Sequence, residues 1–293
     1  MGPFVAEKLK RAIKGRLKVL RHGYVTRWRG FGREDFRKLL VRLGVQPGDV
    51  VVVHSSADRF EGFRGSLVDV ITVLQDAVGP EGTLLMPTLP FDGSALDYAR
   101  EGRVFDVVRT PSRMGLLTEL FRRSPGVVRS LHPTHSVAAR GPMAAELIAD
   151  HHRARTPCGR GTPWGRLPDH HGKILLLGTG IAAMTFFHAI EEILEPAMSF
   201  SPFTNETFRL RSRDEDGTLL ETETRLFDRE TSARRNLGRL AATLKERGSW
   251  REGRVGRLDA ILLEAREVLE SAQALARQGL FCYDGAGDGV ARP

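Results

Sequence analysis

Apolar residues recur at two distinct periods along the chain, and the period changes with position. Over residues 4–20, Val5, Leu9, Ile13, Leu17 and Leu20 fall at helical spacing with Lys and Arg between them. That pattern predicts a basic amphipathic helix. Such a face suits an anionic membrane surface, an acidic partner, the body of the protein or a second subunit. From residue 33 the order tightens. A helix is predicted from Arg33 to Leu43, ended by Gly44 and the turn Gln46-Pro47-Gly48-Asp49. The β-branched run Val50-Val51-Val52-Val53 then predicts a strand buried on both faces. A helix over 66–78 stops at Gly79-Pro80, and Gly82 to Met86 form the next strand. Further strands are expected at 136–140 and 173–178, and helices at 114–123, 142–152 and 185–194.

This alternation predicts a layered α/β/α domain around a mostly parallel sheet. After about residue 200 the texture shifts. Phe208 to Ser212 and Leu219 to Arg225 flank Arg213-Asp214-Glu215-Asp216-Gly217, a β-hairpin signal with an acidic tip. Two long C-terminal helices, over about 231–246 and 257–277, are expected to finish the chain. The division is then a basic N-terminal arm, residues 1–32, and one domain over 33–285.

Charge sharpens this division. The 293 residues carry a formal net charge of +8. Residues 1–29 hold nine bases against Glu7, so the arm accounts for the whole excess and the body sums to zero. A global basic field for nucleic acid is therefore a poor reading. No stretch approaches eighteen uncharged apolar residues, which argues against a spanning helix. Two cysteines, Cys158 and Cys282, do not make a disulfide framework and point to a reducing cytoplasm.

Four segments sit where strands end or helices begin, the place where α/β sheets gather ligands. The first is His54-Ser55-Ser56 with Gly62-Phe63-Arg64-Gly65-Ser66 opening a helix. Its backbone N–H groups suit an anion, with Arg59 and Arg64 adding charge, while Ser66 equally reads as an ordinary helix cap. The second is His132-Pro133-Thr134-His135-Ser136. The third is the Gly- and Pro-rich loop Pro157 to Gly165, in which Cys158 is a candidate thiol nucleophile without an evident base.

The fourth contains Thr185, His188 and Glu191. On a helix Glu191 lies one turn beyond His188, so its carboxylate can fix the imidazole tautomer and raise its basicity. A surface His–Glu pair is the plain alternative. His54, His132, His135 and His188 also supply enough ligands for a zinc hydrolase site, although Pro133 keeps the H-x-x-H stretch from helical protease geometry. A non-catalytic module using the arm to bind a membrane or partner is the third class.

Taken in order, several motifs resemble the aminoglycoside 3-N-acetyltransferase family. They are Val53-His54-Ser55-Ser56, Gly79 to Thr88, Met114-Gly115 opening a helix, Arg129-Ser130-Leu131-His132-Pro133, Gly161-Thr162-Pro163, Leu175-Leu176-Leu177-Gly178, and Thr185 with His188-Ala189-Ile190-Glu191. The resemblance is dense over about 34–195 and weaker to about 280. It implies an α/β fold that is not GNAT, with acetyl-CoA or another acyl-CoA as co-substrate, a small-molecule amine acceptor and no metal. It implies that His188 is the general base, Glu191 its orienting carboxylate and Thr185 a donor to the reacting oxygen. The coenzyme side then comprises His54, Ser55, Ser56, Arg59, Phe63, Arg64, Gly65, Ser66, Met114 and Gly115. A homodimer is a further expectation.

One departure concerns the acceptor. Antibiotic-modifying members meet polycationic drugs with a strongly acidic cleft, whereas this body is neutral and its core segments hold Arg59, Arg64, Arg113, Arg140, Arg160 and Arg166. Asp92, Asp97, Asp106 and the tip at 214–216 are the acids available to line a cleft. An amine bearing an anion fits the arginines better.

Overall fold

The run at 50–53 forms the centre of a seven-stranded sheet, and each successive valine faces the opposite helical layer. The computed structural model describes residues 29–285. The amphipathic stretch 4–20 lies outside them. Of the arm only 29–32 are described, and there Phe31 is buried against Phe63.

In chain order the elements are α1 (Arg33–Leu43), β1 (Val50–Ser55), α2 (Leu67–Val78), β2 (Thr83–Pro87), α3 (Ala95–Arg100) and β3 (Val104–Asp106). Then follow α4 (Leu116–Arg122), β4 (Val128–Arg129), β5 (Val137–Arg140), α5 (Ala144–Ile148), α6 (Pro163–Arg166) and β6 (Lys173–Leu177). The second half holds α7 (Phe187–Leu194), β7 (Phe203–Arg213), β8 (Leu219–Phe227), α8 (Arg229–Ala233), α9 (Gly238–Glu246), β9 (Arg251–Val255), β10 (Leu258–Glu264) and α10 (Ala265–Ala276).

The large sheet runs β4-β5-β2-β1-β6-β10-β9, and β3-β7-β8 make a second, three-stranded sheet. Side-chain alternation along each central strand sorts the core into two halves. Val51, Val53, Leu84, Met86, Leu175 and Leu177 face α1, α2 and α4. Val52, Leu85, Ile174 and Leu176 face the layer containing α7, α9 and α10. The three layers follow directly from that alternation.

Within the large sheet parallel pairing is confined to β2-β1-β6, and every other neighbour is antiparallel. The expected mostly parallel sheet is thus a parallel centre with antiparallel flanks. The expected helix over 257–277 is corrected too: Leu258–Glu264 is a strand, and the helix begins only at Ala265. A short apolar run fits either period. Here the open edge of β6 decides, because its backbone groups need partners, and Leu262 pairs with Leu175 in antiparallel register. The helix expected over 231–246 divides for a related reason. Asn236 N–H donates to Cys282 O and Asp284 N–H to Arg234 O, so 234–236 leave helical geometry to hold the C-terminal strap.

The 142–152 helix is likewise shortened, ending at Ile148 before Asp150 enters the left-handed region at φ 57°. The hairpin formed as expected, with Asp214 Oδ1 accepting the N–H groups of Asp216 and Thr218 at its tip.

Candidate active site

The parallel strands β1 and β6 end side by side, His54 opposite Leu176 and Ser55 opposite Leu177. The carboxyl ends of such strands are where ligand sites form in open sheets. Beyond β6 the chain turns at Gly178, whose φ of +67° and close approach to the Arg59 side chain leave no space for a Cβ. A 3-10 turn over Ile181–Ala183 then leads to α7, and His188 N–H donates to Thr185 O at its first turn.

His188 and Glu191 lie one turn apart and are bonded, Nδ1 to Oε2 at 2.7 Å. Glu191 is fully buried. Its other oxygen, Oε1, accepts from Arg235 Nε at 2.6 Å and from the Tyr283 hydroxyl. With Nδ1 donating to a carboxylate, Nε2 of His188 is left as the basic atom. Phe227, at the end of β8, stacks on the imidazole at 4.5 Å, and His135 meets it edge-on at 5.9 Å. The ring is therefore held on one face and one edge. The plain alternative, a surface pair, does not describe it.

Burial pushes His188 below the usual histidine range and the Arg235 guanidinium pushes it further, while Glu191 pulls it back. The imidazole is neutral at rest, as a base must be. Burial raises Glu191, but His188 and Arg235 outweigh it and hold the carboxyl below its ordinary value. Tyr283 is raised, first by burial and then by the adjacent Glu191 charge, so it remains a donor. Thr185, His188, Ser232 and Arg235 line an open cleft of about 290 Å³.

The predicted coenzyme residues divide. Ser56 and Arg59 line a second cleft of about 400 Å³ with Asp58, Glu61 and Arg257. His54 is buried and stacked on Trp164, and burial takes its imidazole down to about 3. Ser55 is half-buried at the strand end. Phe63 packs among Phe31, Phe36 and Phe60. Arg64, Gly65 and Ser66 are exposed. Ser66 caps α2 in a reciprocal box with Asp69, the ordinary role foreseen for it. Gly115, at φ +107°, starts α4, and Met114 N–H donates to Ser112 Oγ.

The four histidines proposed for zinc do not form a metal site. Among the described residues no group of three or more His, Cys, Asp or Glu could hold a metal ion. His132 Nδ1 accepts the N–H groups of Thr134 and His135, which ties the 132–135 turn together. Burial drives His132 and His135 well below the ordinary histidine range, with neighbouring histidines adding to the effect. Cys158 is fully buried and burial pushes its thiol well up, which removes it as a nucleophile.

The six arginines singled out in the sequence do not converge on His188. Arg113 pairs with Asp92 at 3.8 Å, Arg166 donates to three carbonyls at the end of α5, and Arg140 lines a separate cleft with Gln75 and Gly79. Asp97 and Asp106 are matched by Arg229 and Arg213, at 3.5 and 3.9 Å. The cation beside the imidazole is Arg235, which sequence reasoning missed together with Tyr283 and Phe227. No local signal marks them. Arg235 reads as one position of a helix, and Tyr283 reaches Glu191 only because the strap pairs with 234–236.

A model of the family described as aminoglycoside 3-N-acetyltransferase matches residues 52–277. Aminoglycoside N(3)-acetyltransferase IX of Micromonospora chalcea is 31% identical over 262 residues, covering 82% of this chain and 91% of that protein. The crystal structure of aminoglycoside acetyltransferase AAC(3)-Xa is similar with a TM-score of 0.75 and 27% identity, over 88% of this chain and 98% of that one. A histidine-to-alanine mutant of AAC(3)-IVa in complex with a gentamicin gives a TM-score of 0.71 and 28% identity, over 86% and 91%. With the family model spanning most of the body, the chain belongs to the aminoglycoside 3-N-acetyltransferase family.

Proposed function

We propose that this protein transfers an acetyl group from acetyl-CoA to an amine of an amino sugar or aminoglycoside, with His188 as general base and Glu191 as the carboxylate that orients it. The observation carrying this reading is the locked pair. Glu191 is buried, gives one oxygen to His188 and has the other taken by Arg235 and Tyr283. A carboxylate fixed in that way cannot turn from the imidazole, and His188 itself lines the open cleft.

The acceptor enters the cleft of Thr185 and His188, and the thioester approaches from the end of β1, past Ser55, Ser56 and Arg59. The amine enters in its neutral form, its ammonium proton already released to solvent, and the attacking nitrogen then has one further proton to lose to a base. The amine nitrogen attacks the acetyl carbonyl while His188 Nε2 takes its proton. The C–N bond forms, the carbonyl electrons move to oxygen, and the Thr185 hydroxyl donates to that oxygen. Collapse breaks the C–S bond, and the imidazolium returns the proton to the departing thiolate. Glu191 stays ionised throughout and stabilises the imidazolium. No acyl-enzyme is formed, in keeping with the inert Cys158.

Among the described residues no helix is long and apolar enough to cross a membrane. A cytoplasmic setting suits two unpaired cysteines and the coenzyme supply.

Release of the CoA thiol from acetyl-CoA tests the proposal, with gentamicin and sisomicin as first acceptors because structurally similar relatives bind them. His188→Ala is expected to lower turnover about 100- to 10,000-fold with coenzyme affinity unchanged. A variant that keeps most of its turnover sinks the assignment.

A further inference from the structure

The C-terminal strap reaches the His188–Glu191 pair from beyond residue 277, where the match to the family ends. Helix α10 stops at Ala276, Gly279 takes a φ of +75°, and Leu280 N–H turns back to Leu275 O. That turn sends the chain across α7, where Phe281 and Tyr283 border the same small cavity as Ile190 and Leu194. The strap is then tied to 234–236. Asn236 N–H donates to Cys282 O, Asp284 N–H to Arg234 O, Arg234 Nε to Asp284 O at 2.9 Å, and Asn236 Nδ2 to Asp284 Oδ1 at 2.7 Å.

Ordering the end of a chain costs conformational entropy, and chain ends stay loose unless they are tied down. Here the tie delivers one buried polar group. Tyr283 is 5% exposed, its ring meets Phe200 edge-on at 5.0 Å, and its hydroxyl donates to Glu191 Oε1. The terminal torsion of a glutamate is broad, so one bond from Arg235 Nε to that oxygen leaves the carboxylate plane free to swing. A second donor, on a different segment, closes that freedom. The strap thus carries one donor and pairs with the segment that carries the other.

We propose that Tyr283 is a positioning residue for acyl transfer: held by the strap, it fixes the plane of the Glu191 carboxylate and through it the tautomer and aim of His188. This rests on the acyl-transfer reading of the site. Tyr283 acts only through Glu191, and the bonds made and broken in the reaction are unchanged.

The test uses the full chain. Tyr283→Phe keeps the ring against Phe200 and removes only the hydroxyl. With gentamicin as acceptor, kcat for CoA release is expected to fall about tenfold, the margin of one hydrogen bond, with KM for acetyl-CoA unchanged. The same change is made in His188→Ala, where no imidazole is left to orient, and there it is expected to cost less than about twofold. A second readout needs no turnover. The His188 Nδ1 proton, identified in the NMR spectrum by its loss in His188→Ala, is expected to exchange with solvent about tenfold faster in Tyr283→Phe. Should that variant fail to fold, Asp284→Ala, which cuts the side-chain bond to Asn236, takes its place with shifts expected in the same direction. Wild-type turnover, unchanged proton exchange, or an equal fall with and without His188 overturns the proposal. Faster exchange in a protein that acetylates no amine supports the positioning and counts against the acyl-transfer reading instead.

Discussion

Replacing Glu191 by Gln keeps the shape of the side chain and removes its charge, which makes it the most informative single change in the site. The carboxylate accepts from His188 Nδ1, Arg235 Nε and the Tyr283 hydroxyl. An amide can accept on its oxygen, but its NH2 group then faces Arg235, a donor against a donor. In the transition state the lost partner of the imidazolium is a charge-assisted bond, worth about 1.5–3 kcal/mol. At about 1.4 kcal/mol per tenfold, that predicts a fall in turnover of about 10- to 150-fold. The pH profile carries a second, signed prediction. Glu191 raises His188, so its loss lets the imidazole fall further, and the acid limb of kcat/KM moves to lower pH.

Arg235 acts on His188 in the opposite direction, so the acid limb of Arg235→Gln moves to higher pH. The assay is CoA release across pH 5 to 9, with near-UV circular dichroism at the assay temperature to separate lost folding from lost chemistry. Leaving Arg235 buried without its carboxylate costs about 3–5 kcal/mol of stability, so that control is needed. Wild-type turnover, or an acid limb moving upward in Glu191→Gln, would refute the coupling described above.

Other consequences follow from neighbouring groups. Burial pushes Glu192 up to about 7 from an ordinary 4.5, while Thr156 Oγ1 and Cys158 N–H bond its oxygens. The folded state therefore holds a proton that the unfolded chain has released between those values, and this contribution to stability is lost as pH rises through about 7. Glu192→Gln should raise the melting temperature at pH 8 and change it little at pH 4.5; an equal shift at both would sink that account. Cys158 and Cys282 are both buried, and burial takes the Cys282 thiol up to about 11. Ellman's reagent should modify neither in the folded protein and both after denaturation, and fast labelling of the native form would contradict the packing. Trp164 is fully buried, stacked on His54, and donates from its indole to His135 O at 3.4 Å. Trp164→Ala should cost about 3–5 kcal/mol in urea unfolding; a loss below about 1 kcal/mol would mean that the core there collapses around the change.

The sequence by itself determined whatever depends on neighbours along the chain. The valine run at 50–53, Ser66 before α2 with Asp69 three residues on, and the hairpin around Asp214 to Gly217 each carry their own local physics of burial, capping or turn chemistry. The His188–Glu191 spacing belongs with them, because one helical turn fixes the geometry of both side chains. Where long-range partners decide, the sequence was ambiguous. Leu258–Glu264 suits helix or strand, and only the unfilled edge of β6 made it a strand. The zinc reading fell because His132 uses its ring nitrogen to tie a turn together, which spacing cannot reveal.

The most consequential features of the site belong to tertiary structure alone. Arg235 and Tyr283 are 44 and 92 residues from Glu191 and meet its single oxygen because 282–284 strap across 234–236. Charge balance at the cleft was decided in the same way. Composition shows a neutral body, but only folding pairs Asp92, Asp97 and Asp106 with arginines and leaves Nη2 of Arg235 buried without a hydrogen-bond partner. Coulomb and hydrogen-bond energies depend on distance in space, and the chain sets that distance only after its layers have packed.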